Sequence, residues 1–158
     1  MKKINITLLF TVLCLGLTSA QAGFYVRPTA GAVVPLTSNQ SSQISLGVTA
    51  GYQFIKIFAV EGSYSRFIEN DPIPAANAYR LTGIARVPTG VFAPYVSLGT
   101  GFIDYDPSGI DTNYFTSLGA GVTVVKLFMF SANVGVEYLI LDGADNLLEP
   151  RASVGVHF

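Results

Sequence analysis

The last nine residues of the chain, Pro150-Arg151-Ala152-Ser153-Val154-Gly155-Val156-His157-Phe158, decide how the rest of the sequence is interpreted. Apolar side chains occupy every second position from Ala152 to Phe158, and the positions between them carry Arg151, Ser153, Gly155 and His157. Successive side chains of a β-strand point to opposite faces, so unbroken alternation predicts a strand that separates two different environments.

The same order of residue types recurs along the chain: a small polar residue, an apolar one, a glycine, and an apolar or small one. It occurs at Thr29–Ala32, Ser45–Val48, Ser97–Thr100, Ser117–Ala120, Asn133–Val136 and Ser153–Val156. Self-similarity of this kind predicts one repeated supersecondary unit. The predicted unit is a β-strand with one small or polar face and one apolar face.

The first 22 residues have the composition of a secretory signal peptide. Two lysines precede an apolar run from Ile4 to Leu17, and Ala20-Gln21-Ala22 supplies the small residues of a cleavage site. We therefore predict a signal peptide over residues 1–22 and a single domain over residues 23–158.

Composition narrows the class of protein further. Half of the residues are apolar and 12% are charged, yet no apolar run of about 20 residues follows the signal. Such a chain must bury its apolar face in a large core or expose it to lipid. Removal of Cys14 with the signal leaves no thiol, which excludes disulfides, cysteine catalysis and thiolate metal sites. With a net charge of −1 and no basic patch or phosphate-binding glycine loop, we expect no nucleic acid partner, no cofactor and no metal.

Alternation divides the domain into eight predicted strands, at residues 24–34, 44–54, 58–67, 79–87, 92–102, 114–124, 128–139 and 150–158. The connections between them alternate in length. The short ones lie near Lys56, Pro88–Gly90 and Lys126, and the longer ones span Pro35–Gln43, Ile68–Asn77, Asp104–Asn113 and Ile140–Glu149. Transmembrane barrels have this arrangement, with short periplasmic turns and longer extracellular loops. The predicted fold class is all-β, an eight-stranded antiparallel up-and-down transmembrane barrel with both termini periplasmic.

Aromatic residues are predicted to form two outward-facing girdles, of the kind that anchor a barrel at the two membrane interfaces. The girdle at the short-turn end comprises Phe24, Phe54, Phe58, Phe92, Phe128 and Phe158. The girdle at the long-loop end comprises Tyr64, Tyr79, Phe102, Tyr114 and Tyr138.

A soluble barrel of the lipocalin type also alternates, but with its apolar side chains inside. The outer surface of such a barrel would here carry too few charges for solubility, and the large apolar side chains would overfill so narrow an interior. Lipid outside and small residues inside fit both constraints. Closure of the barrel also pairs every backbone group, which hydrocarbon requires.

Over essentially all of residues 23–158, the chain resembles the small outer-membrane β-barrel proteins of Gram-negative bacteria, the group that contains the OmpA transmembrane domain and OmpX. The resemblance rests on the order of Gly51–Phe54, Ala59–Gly62, Ala93–Gly99 and the terminal Phe158. It implies that Val154, Val156 and Phe158 are recognised by the outer-membrane assembly machinery. Outer-membrane lipid and lipopolysaccharide are the other expected partners, and we expect a monomer.

Six charged side chains fall on the inward face of the predicted strands: Arg27, Glu61, Arg80, Arg86, Glu137 and Arg151. A buried charge persists only when it is paired and hydrogen-bonded. Glu137 and Arg151 lie at similar heights on adjacent strands, and Glu61 could meet Arg86 beside it or Arg27 across the lumen. The resemblance implies an ion-pair network that plugs the barrel. A small-solute channel is the alternative.

The sole histidine, His157, is the only ready general base. Small barrels that resemble lipid A deacylases and palmitoyltransferases use a histidine near the outer leaflet, whereas His157 is predicted to face inward at the opposite end. We therefore predict no catalytic residue and a non-enzymatic protein, with a lipid A-modifying enzyme as a further alternative.

Most acidic residues fall in or beside the long connections: Glu69, Asp71, Asp104, Asp106, Asp111, Asp142, Asp145 and Glu149. They are either solvated turn residues or ligands for divalent cations that bridge to lipopolysaccharide phosphates. The function predicted from the sequence is a contribution to envelope integrity, to surface interaction through short loops, or to both.

Overall fold

The computed structural model describes residues 23–37, 41–70, 74–89, 92–105, 112–127, 129–143 and 145–158. Their eight strands are β1 (Gly23–Pro35), β2 (Gln43–Ile55), β3 (Phe58–Phe67), β4 (Ala76–Arg86), β5 (Ala93–Tyr105), β6 (Asn113–Leu127), β7 (Phe130–Leu141) and β8 (Leu147–His157). Each strand pairs antiparallel with the next, and β8 pairs with β1, so the sheet closes. The predicted eight-stranded antiparallel barrel is confirmed. The predicted signal peptide and Phe128 lie outside the described residues.

The described residues contain no helix that is long and apolar enough to cross a bilayer.

Burial alternates along every strand with the predicted period. On β2, Ser45 is 3% exposed, whereas the next residue, Leu46, is 48% exposed. On β1, Tyr25 is buried and Phe24 is exposed. Because the sheet is closed, the buried face looks into the lumen and the exposed face looks outward. Apolar side chains therefore cover the outside of the barrel, as the sequence pattern indicates.

The strands continue further toward the long connections than the sequence pattern predicts. β4 begins at Ala76 rather than Tyr79, β5 ends at Tyr105 rather than Phe102, and β8 begins at Leu147 rather than Pro150. Pairing with the neighbouring strand extends each one past the point where its own alternation fades. We call this end of the barrel the loop end and the opposite end the short-turn end.

The earlier start of β8 places one acid in a strand of the barrel rather than in a loop. Glu149 was predicted to lie beside a loop, but it belongs to β8, pairs in register with Glu137 of β7 and is 1% exposed. It has the same inward phase as Arg151, two residues later. The prediction was wrong because it begins the strand at Pro150, whereas β8 continues through this proline to Leu147.

The interior at the loop end is apolar, which differs from the predicted small and polar lumen. Eight buried side chains form this cluster, here called the apolar cap: Val33, Phe67, Ala76, Ala78, Ile103, Phe115, Leu139 and Leu141. Most of them lie on the parts of the strands that reach beyond the outward-facing tyrosines at this end. The inside of the barrel is the shielded side there, so apolar side chains turn inward as they do in a soluble protein.

The β1–β8 seam, which closes the barrel, is interrupted at two prolines. Register pairs pass from Val26↔Val156 directly to Thr29↔Ser153, and from Gly31↔Arg151 directly to Val34↔Leu148. Pro28 of β1 falls in the first gap and Pro150 of β8 falls in the second. Proline has no N–H to donate, so the backbone ladder cannot be complete at these positions.

Candidate functional site

The lumen contains three layers of side chains: the apolar cap at the loop end, a charged layer in the middle, and a lowest layer at the short-turn end. Tyr25, Ala59 and Ile84 are buried together there, with the half-buried Tyr95 packed against them. Gly51 makes room for Tyr25, because a Cβ at position 51 would clash with the phenol ring. The inward glycines therefore let large side chains lie across a narrow lumen.

A buried carboxylate joins this lowest layer to the charged middle layer. Glu61 of β3 accepts hydrogen bonds from the Arg27 guanidinium and from the Tyr25 hydroxyl, the latter with an O···O distance of 2.5 Å. The side chains of Arg27 and Glu61 are 8% and 2% exposed. Arg27 is thus the partner of Glu61 in the structure, and the alternative pairing of Glu61 with Arg86 is not found.

A second ion-pair group spans four strands in the middle of the lumen. Arg80 of β4 donates to Glu137 of β7 and, over 2.7 Å, to Glu149 of β8. Glu137 also accepts from Arg151, and Glu149 accepts from the Ser45 hydroxyl over 3.0 Å. Both carboxylates therefore have more than one donor, and the opposite charges compensate each other inside the lumen.

Arg86 is the one predicted lumen charge that has no ion pair among the described residues. It is half-buried on the last residue of β4, at the short-turn end, and its Nε has no hydrogen-bond partner there. The other five predicted lumen charges all take part in the two groups described above.

Sequence reasoning missed Glu149, and with it the second carboxylate of Arg80. The signal was available in the period of the strand, because Glu149, Arg151 and Ser153 occupy alternate positions. The link from Tyr25 to Glu61 was also missed. Strand alternation places both residues on inward faces, but alternation alone does not specify which inward side chains meet across a lumen.

The outer wall carries a continuous aromatic row at the loop end. Tyr64, Tyr79, Phe102 and Tyr114 lie on four successive strands, and their ring centroids are 5.3, 4.9 and 6.4 Å apart in that order. The next outward position beyond this row is polar on three strands, with Arg66, Asn77 and Asp104. The outer wall therefore changes from apolar to polar within one side-chain row.

Aromatic side chains also surround the short-turn end. Phe24 packs against Tyr52 with ring centroids 4.7 Å apart, and Tyr52 packs against Phe54 at 4.8 Å. The remaining exposed phenylalanines near this end are Phe58, Phe92, Phe130 and Phe158. Tyr138, predicted for the loop-end girdle, is half-buried and its hydroxyl accepts a hydrogen bond from Asn146.

His157 lies at the inner edge of the short-turn end. Its Nε2 is 2.9 Å from the Ser131 hydroxyl, and its ring centroid is 5.1 Å from that of Tyr25. Among the described residues, no three His, Cys, Asp or Glu side chains are grouped closely enough to hold a metal ion. Of the predicted loop acids, Asp71, Asp106 and Asp111 lie outside the described residues.

No known protein family and no curated protein matches this chain by sequence. Solved structures do match it in three dimensions. Neisserial surface protein A superimposes with a TM-score of 0.71 and 19% identity, over 85% of this chain and 97% of that one. The N-terminal barrel of OprF from Pseudomonas aeruginosa gives 0.66 and 19%, over 87% and 100%. The attachment invasion locus protein Ail of Yersinia pestis gives 0.57 and 14%, over 88% and 99%. The chain therefore has the fold of the small eight-stranded outer-membrane β-barrels.

Proposed function

We propose that this protein is a non-enzymatic, monomeric, integral outer-membrane barrel with a closed lumen, which contributes to envelope integrity and contacts the surroundings through short loops. The observation that carries the proposal is the inverted polarity of the barrel. Leu98 is 59% exposed on the outer wall, while Glu137 and Glu149 are buried inside. In water this arrangement would expose apolar surface at a cost of about 25 cal/mol per Å². In a bilayer the same surface meets hydrocarbon.

The two aromatic ends support a membrane-spanning position. Tyrosine and phenylalanine rings at the edges of an apolar band are typical of barrels anchored at both interfaces. The change from the aromatic row to Arg66, Asn77 and Asp104 at the loop end fits the border between hydrocarbon and lipid headgroups.

The contents of the lumen favour a structural barrel over a channel. An eight-stranded barrel is just wide enough for side chains to fill it. Here the ion-pair groups occupy the middle of the lumen and the apolar cap occupies its loop end, which supports a lumen filled by side chains rather than by a water path. We propose that the network plugs the barrel permanently.

The loops favour a modest surface role. The connection between β7 and β8 comprises only residues 142–146, and the charged residues described at the loop end include Glu69, Asp142 and Asp145. Ail has been crystallised with a sulfated heparin analogue. Glu69, Asp142 and Asp145 would repel such a polyanion, whereas the exposed Arg66 of β3 would attract a single anionic group, so the described charges favour local contacts over a polyanion-binding surface.

Two adjacent residues on opposite faces provide the test of membrane insertion. Leu98→Cys and Ser97→Cys would each be labelled with a fluorophore in protein refolded into vesicles, with Asp104→Cys as a control near the proposed headgroup border. We expect brominated acyl chains to quench the label at Leu98, iodide to quench the label at Asp104, and labelling at the buried Ser97 to be slow. Quenching of the Leu98 label by iodide, in a protein that stays dissolved without detergent, would refute the proposal.

The exposure of Phe158 supports a role for its aromatic side chain in assembly of the barrel. The Phe158 side chain is 80% exposed, while its backbone N–H donates to the Phe24 carbonyl over 2.8 Å. We propose that the outer-membrane assembly machinery reads Val154, Val156 and Phe158. Phe158→Ala should lower the amount of protein in the outer membrane of cells but leave refolding in detergent unchanged. Phe92→Ala, an exposed phenylalanine at the same end, is the control, and an equal loss in both variants would contradict a specific signal.

A further inference from the structure

A groove of about 620 Å³ lies on the outer wall, directly below the aromatic row at the loop end. Three small residues, Ala50, Gly62 and Thr100, line its floor on either side of the larger Leu81. Ala50 of β2 faces Gly62 of β3, and Leu81 of β4 separates Gly62 from Thr100 of β5. A Cβ built at Gly62 has no atom within 4 Å, so the space above this glycine is empty.

The groove is bounded on its loop side by a raised edge of rings. Tyr79 and Phe102 are stacked with an interplanar angle of 23°, and Tyr64 and Tyr114 extend the edge on either side. A flat barrel wall would rest on these rings and leave the floor empty. A thin, flexible apolar chain can reach the floor and pack against the ring faces as well.

A cation stands immediately beyond this edge. The Tyr64 hydroxyl donates to Asn77 Oδ1 over 2.9 Å, and Arg66 Nη1 lies 3.4 Å from the same oxygen. Arg66 is exposed and forms no ion pair among the described residues; Asp104, the nearest acid in register, faces Asn77 from the other side. The guanidinium of Arg66 therefore has donors available for an external anion.

We propose that this groove binds one acyl chain of lipopolysaccharide, with Arg66 donating to a phosphate of the same molecule. One lipid molecule carries both an acyl chain and a phosphate. The groove lies below the aromatic row and the Arg66 guanidinium lies beyond it, which is the order in which the acyl chain and the phosphate of such a lipid cross the interface. The proposal rests on the proposed membrane insertion, which places the loop end in the outer leaflet. A bidentate guanidinium–phosphate contact would give specificity for the phosphorylated headgroup.

Native mass spectrometry of the refolded protein in detergent, titrated with bisphosphorylated lipid A, tests the proposal. We expect wild type to retain one lipid A molecule. Gly62→Leu fills the groove and should weaken retention by about tenfold, a loss of roughly 1.4 kcal/mol. Ala152→Leu adds the same side chain to an exposed alanine of β8 and should change nothing. Arg66→Gln should weaken binding of bisphosphorylated lipid A but not of dephosphorylated lipid A.

Four results would overturn the proposal. Equal retention by Gly62→Leu and Ala152→Leu would show that the groove is not used. Equal affinity of Arg66→Gln and wild type for bisphosphorylated lipid A would show that Arg66 does not contact the phosphate. Groove-dependent binding of phosphatidylglycerol as tight as that of lipid A would indicate a phospholipid site instead, and a wild-type dimer lost on Gly62→Leu would indicate a second copy of the chain. Heat-modifiable gel migration confirms that each variant is folded. If lipid A binding fails while brominated acyl chains quench the Leu98 label, the proposed membrane insertion still stands. If iodide quenches the Leu98 label, insertion itself is refuted.

Discussion

At the scale of single residues, the lumen depends on charges that satisfy one another. Moving a carboxylate from water into a protein interior costs several kcal/mol unless a partner with good hydrogen-bond geometry is present. Glu61 has two donors, Arg27 and Tyr25, and Arg80 serves two carboxylates at once. Removing one member of such a group leaves the others buried and unpaired.

The pair of Arg27 and Glu61 allows a direct measurement of this effect. Arg27→Met should lower the free energy of unfolding by about 3–5 kcal/mol, because Glu61 stays buried without its cation. Adding Glu61→Gln should recover much of the loss, since an uncharged amide can still accept from Tyr25. Urea unfolding followed by far-UV circular dichroism suits a chain without tryptophan. A double variant no more stable than Arg27→Met would contradict the buried-charge explanation.

Two glycines on adjacent strands provide a second comparison at this scale. A Cβ at Gly51 would overlap the Tyr25 ring inside the lumen, whereas a Cβ at Gly62 would meet nothing on the outer wall. We expect Gly51→Ala to destabilise the barrel by about 1–3 kcal/mol through overpacking, and Gly62→Ala to change stability by less than about 0.5 kcal/mol. The same urea titration measures both. Similar losses in the two variants would indicate a backbone effect rather than a steric one.

At the scale of elements, the eight strand pairs are not equivalent. The ladders from β1 to β7 are nearly continuous, with register shifts only between Gln53 and Ile55 and between Thr123 and Val125 among the described residues. The β1–β8 seam has two gaps, one at Pro28 and one at Pro150. A missing backbone hydrogen bond lowers the local cost of opening, so the seam should be the least protected ladder of the barrel.

Hydrogen exchange in detergent micelles measures this difference. Amides of β8 beside the gaps, such as Val154, should exchange faster than amides in the middle of the β2–β3 ladder, such as Val60. Pro28→Val restores a donor on the seam and should slow exchange around Val154 without affecting Val60. Uniform protection in all eight ladders would show that the prolines do not weaken the seam.

At the scale of the whole molecule, two groups of side chains occupy the lumen. Ion pairs lie in the middle, and the apolar cap lies at the loop end. Under the proposed function these two groups close the barrel. The cap offers water no hydrogen bonds, and the carboxylates in the middle already have donors within the barrel. A barrel closed twice should carry no steady current.

Planar-bilayer recordings test the closed lumen. Wild type should give no stable, ion-selective conductance. Arg80→Ala removes the cation that joins β4 to β7 and β8, so it should produce brief openings of variable size. A stable conductance in wild type that Arg80→Ala leaves unchanged would contradict a plugged barrel and favour the small-solute channel.

Much of this architecture follows from local pattern. Period-two alternation predicts the number of strands and the face that each side chain occupies, because side-chain direction in a strand depends only on position along it. The alternating lengths of the connections predict the up-and-down order. The proximity of Glu137 and Arg151 was also predictable, since both lie on the inward faces of consecutive antiparallel strands at similar heights. The inward position of Glu149 could have been read from its phase with Arg151.

Local pattern thus specifies the two-faced strand, repeated eight times, with apolar residues outside and small or charged residues inside. Which charges meet depends on closure of the sheet, because closure brings together residues as far apart as Ser45 and Glu149. The apolar cap and the groove beside Gly62 likewise arise from register between strands. The register between strands depends on hydrogen bonds and packing added over the whole sheet, so no single segment of the sequence specifies it.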